Sequence, residues 1–399
     1  MKTNTSRPAI LGGSPACDTL LPIINPYIPD LKKLEPHFRN ILDSGMLTNS
    51  SYVGKLEERI AELTGARHCV ALSSCTSGMI LTLHSADLPK GSEVILPSFT
   101  FFSTGHAILW NGLKPVFADV RPDTLNVDVS TVEKVMTKDT SALLVPHIFG
   151  NPAPATELHE FAKKNGLKLF FDAAHGMGSS YPDKPVGSGG DGESFSLSPT
   201  KLLVAAEGGF LTTNDTDTAD FVTAGRNYGD TGDADPITYG LNARMSEFHA
   251  VLAYEGLALL DSKLERRSQV ATSYREMLSE VPGLRFQKIE DGCRTTNKDF
   301  SIVLDPVVWE VARDTVYDAL LAENIMVKRY FFPPLHRQNC FANYRSEDAS
   351  DVLGNTNEIS NNVISLPIYY NLKDEDVEKV VEAIAKLYQY RHELKEKEA

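Results

Sequence analysis

Lys201 and Asp172 are two residues whose types and positions could support covalent cofactor chemistry. Lys201 closes the segment SFSLSPTK at residues 194–201, an apolar strand that stops at Pro199, and Asp172 closes the strand-like segment LKLFFD at residues 167–172. A lysine amine can bond covalently to pyridoxal phosphate (PLP), and a carboxylate can keep the pyridine nitrogen protonated so that the ring takes up electrons. The pair therefore predicts a PLP site.

The surroundings of these two residues favour that interpretation. An aspartate at the end of an apolar strand is costly to bury unless it has a partner, and a pyridinium would supply one. A buried lysine near other cations has a lowered pKa, and it can then act as the base that moves a proton between substrate and cofactor. His175 lies close enough in sequence to reach the phenolic oxygen of the cofactor, although a single histidine after a strand, like His147, is more often structural.

Three further segments could hold the remaining parts of the cofactor. The segment SSCTSG at residues 73–78 lies between a strand and a helix, where small residues and the helix dipole favour a phosphate, although a plain capped helix start is the alternative. Phe101 follows the next strand and could stack on a pyridine ring, or it could pack in the core. Ser196 could donate its hydroxyl to the phosphate.

The chain between residues 52 and 215 alternates short apolar strands with amphipathic helices. This alternation predicts an α/β fold with a buried, mostly parallel sheet and helices on both faces. A long helical pattern over residues 245–281 links this region to a second one, with strands predicted at residues 300–304 and 325–328 and helices at 308–323 and 374–394. We therefore predict a large domain with an N-terminal arm at residues 1–262, and a smaller α+β domain at 263–399.

The segment GSGGDG at residues 187–192 matches the pattern G-x-G-x-x-G. No apolar strand precedes it and no helix follows, so the context of a dinucleotide site is missing. We predict a loop there.

The composition excludes several classes of protein. The 399 residues carry a net charge of −14, which gives no general affinity for nucleic acid or for an anionic membrane. No apolar stretch approaches the length of a membrane span. The five cysteines form no CxxC and no metal-ligand spacing, so we expect reduced thiols, no metal and a cytoplasmic protein.

Taken together, the motifs resemble the DegT/DnrJ/EryC1/StrS family of sugar aminotransferases. The resemblance runs from about residue 40 to the end of the chain. Its pieces are PSFTF at 97–101, DAAH at 172–175, FSLSPTK at 195–201, EGG at 207–209 and GLNARMSE at 240–247. It implies the PLP-dependent transferase type I fold, which is the fold of aspartate aminotransferase.

The resemblance also implies a role for each matching residue. Lys201 takes the place of the Schiff-base lysine, Asp172 that of the pyridinium partner, and His175 that of a residue beside the cofactor. Phe101 becomes the stacking ring, and the phosphate contacts become Cys75, Thr76 and Ser196. Asn242 resembles an asparagine that reaches the cofactor phosphate of the other subunit, which implies a homodimer with shared active sites.

Two sites in the sequence depart from the family pattern, and a third position, Lys201, distinguishes two branches of the family. Cys75 stands where the family has a glycine, so it must fit there without a positive φ or a clash. Ser50 and Ser51 replace an early Gly-Pro, which bears on the contacts of that loop and not on the chemistry. In the 3-dehydratase branch a histidine replaces the lysine, so the presence of Lys201 favours transamination.

The substrate is less closely determined than the chemistry. The segments at 170–175, 242–247 and 329–333 look most like enzymes that aminate C4 of dTDP-4-keto-6-deoxyglucose, with L-glutamate as the donor. Lys328, Arg329 and His336 would suit a nucleotide diphosphate, or they are a solvated strand end. The alternatives are a 3-aminotransferase, an enzyme for a UDP- or GDP-sugar or a cyclitol ketone, and a PLP-binding regulator without turnover. The absence of an added DNA-binding segment argues against the regulator.

Overall fold

The structure is a computed structural model that describes residues 7–344 and 352–398. Within these residues, seven strands form the large sheet in the order β1-β7-β6-β5-β4-β2-β3. The strands are β1 His68–Leu72, β2 Glu93–Pro97, β3 Lys114–Ala118, β4 Thr140–Pro146, β5 Lys168–Asp172, β6 Gly192–Ser196 and β7 Gly209–Thr213. β7 runs antiparallel to β1 and β6, and the other neighbours are parallel.

Helices cover both faces of this sheet, as predicted. They are α1 Leu31–Ser44, α2 Ser51–Thr64, α3 Cys75–Ser85, α4 Phe102–Trp110, α5 Val129–Glu133, α6 Ala155–Asn165, α7 Thr216–Gly225 and α8 Glu247–Gly256. Successive side chains of β1 show the two faces, because Ala71 packs with α2 and α8, whereas Val70 and Leu72 pack with α3 and α7. Since strand side chains alternate in direction, the sheet is buried on both sides.

The smaller domain is built on a three-stranded antiparallel sheet in the order β10-β9-β8. Its elements are α9 Leu260–Leu278, β8 Leu284–Phe286, β9 Phe300–Leu304, α10 Pro306–Trp309, α11 Arg313–Ala322, α12 Gly354–Asn362, β10 Val363–Leu366, α13 Asp374–Gln389 and α14 Arg391–Glu396. Short 3-10 helices span Ala9–Leu11, Ile148–Gly150, Leu257–Leu259, Leu335–Arg337 and Asn339–Tyr344.

Two segments connect the two domains. Helix α9 begins in the large-domain core with Leu260 and Leu264 and continues into the small-domain core with Tyr274. The N-terminal arm packs Cys17 and Leu21 into the small-domain core.

Some predicted elements are shorter than expected. The pattern over 245–281 is two helices separated by a 3-10 turn at Leu257–Leu259, and the one over 308–323 is interrupted at Glu310, which has a φ of +57°. Residues 325–328 make isolated bridges at Ile325 and Lys328 rather than a strand. The glycine-rich residues before β6 form a loop, as predicted. In the described part of the chain, no helix is both long and apolar enough to cross a membrane.

Candidate active site

A cavity of about 430 Å³ lies at the carboxyl ends of the parallel strands. This edge of an open α/β sheet is where ligands bind in such folds. Segments that follow β1, β2, β4, β5 and β6 all contribute to its wall, which brings together residues that are far apart in sequence. The predicted site residues in the wall are Cys75, Thr76, Phe101, Asp172, His175, Ser196 and Lys201.

Asp172 ends β5 and is 5% exposed, with both carboxylate oxygens held. Its Oδ2 accepts a hydrogen bond of 2.7 Å from the Thr104 hydroxyl, and its Oδ1 accepts one of 3.1 Å from the Ala174 amide. Two neutral donors orient the carboxylate without neutralising it. Its charge therefore remains available to a cationic group in the cavity, as a protonated pyridine requires.

Lys201 lies in the loop between β6 and β7, because β6 ends at Ser196 rather than at Pro199 as we expected. The loop is closed at its base, where Leu197 donates to the Gly208 carbonyl and Ala205 donates to the Leu197 carbonyl. Burial, followed by the charge of Lys298, lowers the pKa of Lys201 to about 8. The amine is therefore neutral in a large fraction of molecules near pH 8, as a nucleophile or a base requires.

The amino terminus of α3 opens into the same cavity. Ser74 caps the helix by accepting a hydrogen bond of 3.0 Å from the Ser77 amide, and Ser74, Cys75 and Thr76 line the cavity. The first amides of a helix have no partner within the helix and carry partial positive charge, so they can bind an anion. The turn is pressed against β7, where a Cβ on Gly209 would lie 2.3 Å from the Cys75 amide nitrogen.

Cys75 occupies its position without strain. It is the first residue of α3, it is 6% exposed, and its thiol donates to the Ser194 carbonyl at 3.3 Å. Burial and then the charge of Asp172 raise the pKa of this thiol well above its ordinary value. The substitution of a thiol for the family's glycine thus leaves the helix start intact, with the thiol protonated.

His175 and Phe101, two other predicted site residues, have different surroundings in the cavity. Burial and then the charges of Lys201 and Lys298 hold the pKa of His175 well below its ordinary value, so its imidazole is neutral. Phe101 is 43% exposed, with its ring centroid 3.9 Å from that of Phe102. A ring this exposed at a cavity mouth has a face available for stacking.

Sequence reasoning did not find three groups that the structure places at this site. Thr104 contacts Asp172 directly, and the buried pair Lys298 and Asp299 forms part of the wall, beside Tyr330. The available signal was two adjacent charges immediately before the apolar strand at residues 300–304. The argument that selected Asp172, the cost of burying a charge next to an apolar strand, would also have selected Asp299.

A second pocket of about 260 Å³ adjoins the cavity and shares Thr100, Phe101, Tyr330 and Phe331 with it. Lys328 and Arg329 line this second pocket. Arg329 donates to Asp314 at 2.8 Å, and its guanidinium lies 4.6 Å from the ring centroid of Tyr317. A basic pocket with aromatic walls beside the reaction site can accept a phosphorylated nucleoside.

His336 and Asn242 lie outside both pockets. His336 is 5% exposed, with its Nδ1 2.7 Å from the Ser98 hydroxyl and its Nε2 3.1 Å from Asn357 Oδ1, so the structure does not bring it to the site. Asn242 is exposed on the surface of the protein, and its Oδ1 accepts a hydrogen bond from Arg244. An exposed position is required if this residue is to reach another subunit.

The turn at Ser50 and Ser51, the second departure from the family pattern, is held by Glu247. The carboxylate of this residue is 1% exposed and accepts hydrogen bonds from the amides of Ser50, Tyr52 and Val53 at 2.7, 2.8 and 3.1 Å. Glu247 thus serves as the cap of α2 in place of a local side chain.

The cavity has the features that PLP needs. It offers an anion at Asp172, a nucleophilic amine at Lys201, an anion-binding helix start at α3 and an aromatic face at Phe101. Among the described residues, no cluster of three or more His, Cys, Asp or Glu side chains could hold a metal ion, and all five cysteines are free thiols.

Comparisons with known proteins agree with this geometry. The sequence profile of the DegT/DnrJ/EryC1/StrS aminotransferase family matches residues 30–385, a range that contains the whole cavity. The dTDP-4-amino-4,6-dideoxy-D-glucose transaminase of Escherichia coli is 30% identical, over 92% of this chain and 98% of that protein.

Two further comparisons extend the range of relatives. The dTDP-3-amino-3,6-dideoxy-alpha-D-galactopyranose transaminase of Aneurinibacillus thermoaerophilus is 30% identical, over 88% of this chain and 94% of that protein. The crystal structure of DesI in the presence of its TDP-sugar product is 34% identical and has a TM-score of 0.90, with 98% of each chain covered.

Proposed function

The chain belongs to the DegT/DnrJ/EryC1/StrS aminotransferase family, and from that premise we propose that it aminates C4 of dTDP-4-keto-6-deoxy-D-glucose, with L-glutamate as the amino donor. The family and the fold make it a PLP-dependent sugar aminotransferase that acts on nucleotide-linked deoxysugars. The observation that carries the proposal is the single cavity that Lys201, Asp172 and the start of α3 share.

PLP bound in this cavity would supply an aldehyde carbon that can carry the amino group and a ring that can take up electrons. Asp172 would hold the pyridine nitrogen, because Thr104 and Ala174 fix its carboxylate in the cavity. The amides of Cys75 and Thr76, together with the Ser196 hydroxyl, would hold the phosphate.

Lys201 would hold the cofactor covalently and then move a proton with its Nζ. Its pKa of about 8 allows the amine to accept a proton near neutral pH and to release it again. His175, which is neutral, can donate or accept one hydrogen bond beside the cofactor without adding a charge. Phe101 would cover one face of the ring.

The nucleotide would occupy the pocket that adjoins the cavity. Lys328 and Arg329 supply positive charge there for a diphosphate, and Phe332 and Tyr317 supply aromatic surface for a base. His336 is not part of this proposal, because its ring is engaged with Ser98 and Asn357.

A second subunit would complete the site. Asn242 is exposed and lies outside the cavity of its own chain, which is consistent with a contact to the partner's cofactor phosphate. We therefore propose a homodimer with shared active sites. Sedimentation of the wild type and of Asn242→Asp would test this, and both should be dimeric. Absorbance titration should show that the variant binds PLP more weakly than the wild type does. A monomeric wild-type holoenzyme would contradict the proposal.

A panel of substrates would show which sugar carbon receives the amino group. The purified protein should be incubated with L-glutamate and a panel of keto-sugar nucleotides while 2-oxoglutarate is measured, and the product should be located by NMR. We expect an amine at C4 of a dTDP-sugar. An amine at C3 would instead select the 3-aminotransferase alternative, which the relative from Aneurinibacillus thermoaerophilus favours.

The panel also addresses the remaining alternatives. Turnover of UDP- or GDP-sugars, or of cyclitol ketones, in preference to dTDP-sugars would replace the proposed acceptor. Membership of an aminotransferase family already favours a catalyst over the regulator that the sequence left open.

A further inference from the structure

One charged pair in the cavity wall is not among the residues assigned above to PLP. Lys298 and Asp299 immediately precede β9, and they are 5% and 8% exposed. The Lys298 ammonium lies 2.7 Å from Asp299 Oδ1. Both residues line the same cavity as Lys201 and Asp172.

The pair is fixed from behind by the small domain. Arg267 is 3% exposed, and its guanidinium donates to the carbonyls of Asn297 and Lys298 at 3.1 and 2.9 Å. On the cavity side, the ring of Tyr330 lies 5.6 Å from the Lys298 ammonium. The backbone and the side chains of the pair are thus held in place before a ligand arrives, as a specific site requires.

Asp299 Oδ2 is the atom that points to a ligand. Although this oxygen is buried, it accepts no hydrogen bond from any of the residues that the structure describes. A buried acceptor of this kind is costly when it is left without a donor. In a cavity wall, the missing donor can come from the bound molecule.

The chemistry of the acceptor substrate identifies that donor. The cofactor would use Asp172, Lys201 and the start of α3, so Asp299 remains for the molecule that reacts with it. A sugar ring carries hydroxyl groups beside its carbonyl, and a hydroxyl donates well to an ionised carboxylate. Lys298 occupies the other oxygen of Asp299, which leaves Oδ2 as the acceptor.

We propose that Asp299 determines sugar specificity by accepting a hydrogen bond at Oδ2 from one ring hydroxyl of the keto-sugar, with Lys298 as the positioning residue that holds the carboxylate. This inference rests on the proposed function, because it requires a keto-sugar as the acceptor. It adds to that function the part of the sugar that is recognised and the residue that recognises it.

The test uses deoxyfluoro analogues of whichever sugar nucleotide the holoenzyme accepts, one analogue for each ring hydroxyl. Fluorine is close in size to a hydroxyl but cannot donate a hydrogen bond. In the wild type we expect one analogue to lose about 100-fold or more in kcat/KM, because a site built to bind a hydroxyl rejects a ligand that lacks it. Equal use of all the analogues would overturn the proposal.

The variant is the double substitution Lys298→Met with Asp299→Leu, because replacing both partners with apolar groups of similar shape limits the cost to folding. This variant should use the discriminated analogue and the parent sugar equally well. In calorimetry it should bind the aminosugar nucleotide about 10- to 100-fold more weakly than the wild type does. Discrimination like that of the wild type in a folded variant would refute the role of Asp299.

Two controls separate this inference from its rivals. Glu207→Gln removes another negative charge from the same cavity wall, and it should keep the discrimination of the wild type. The affinity for L-glutamate, measured as the concentration dependence of the half-reaction with glutamate alone, should stay within about threefold in the double variant. A larger loss of this affinity would place Asp299 in the amino-donor site and overturn the proposal. A wild type that aminates no keto-sugar would instead refute the proposed function.

Discussion

Replacing the lysine at the centre of the site should make the cofactor-free protein more stable. A lysine in an unfolded chain keeps its proton up to about pH 10.5, whereas burial and Lys298 lower the pKa of Lys201 in the folded protein to about 8. Each pKa unit corresponds to about 1.4 kcal/mol. The protonated amine therefore disfavours the folded state by about 3 kcal/mol at neutral pH.

The pH dependence of this effect has a definite sign. Between about pH 8 and pH 10.5 the unfolded chain binds the proton and the folded chain does not, so the free energy of unfolding rises with pH in this window. Below about pH 8 the full penalty applies. Lys201→Met should therefore exceed the wild type in stability by about 3 kcal/mol at pH 7, and most of the difference should disappear by about pH 10.

Urea unfolding of the cofactor-free proteins at pH values from 7 to 10 measures this difference. Lys138→Met, which changes an exposed lysine, is the matched control and should show no such dependence on pH. The reasoning is refuted if the stability difference between Lys201→Met and the wild type stays constant across the pH range.

Three further predictions concern residues at and around the same cavity. The rate at which the cofactor-free protein reacts with PLP should rise with pH as Lys201 loses its proton near pH 8, and Lys298→Met should move this rise to higher pH because it removes a nearby positive charge. The rate of the absorbance change after PLP is added, measured against pH, checks this. Thr104→Val removes one donor from the buried Asp172 carboxylate and should lower kcat about 10- to 100-fold, measured at saturating substrate. Gly209→Ala places a Cβ against the start of α3 and should weaken PLP binding at least about tenfold, measured by absorbance titration.

The second and third of these variants each have a matched control. Thr100→Val removes a buried hydroxyl that contacts Thr104 rather than Asp172, so its effect on kcat should be the smaller of the two. Gly54→Ala adds a methyl group in a helix where nothing lies within 4 Å, so it should leave PLP binding unchanged and raise stability slightly. An unchanged pH profile in Lys298→Met, or equal effects in a variant and its control, would contradict the argument.

The sequence predicted the residues whose signals are local. Asp172 stood at the end of an apolar strand, and the segment around Cys75 and Thr76 stood between a strand and a helix, so each suggested a role from its own neighbours. The mostly parallel sheet was predicted for the same reason, since alternation of strands and helices is visible along the chain.

The features that the sequence missed are set by tertiary contacts. Lys298 and Asp299 come to the cavity because a different domain packs there. Their place before an apolar strand is a local signal, but no nearby residue indicates which cavity they reach. Glu247 caps a helix that lies almost two hundred positions earlier in the chain. The prediction of a single helix over 245–281 was wrong for a related reason. The leucines of this segment pack into two different cores, and their spacing does not reveal the turn at Leu257–Leu259.

The long helix α9 has a mechanical consequence. Leu264 packs its first turns into the core of the seven-stranded sheet, and Tyr274 packs its later turns into the core of the three-stranded sheet. A rotation of one domain relative to the other would therefore have to bend this helix or remove Leu264 from its buried position. Opening for substrate entry is therefore expected from the loops at the cavity mouth, and free and liganded forms should superimpose across both halves.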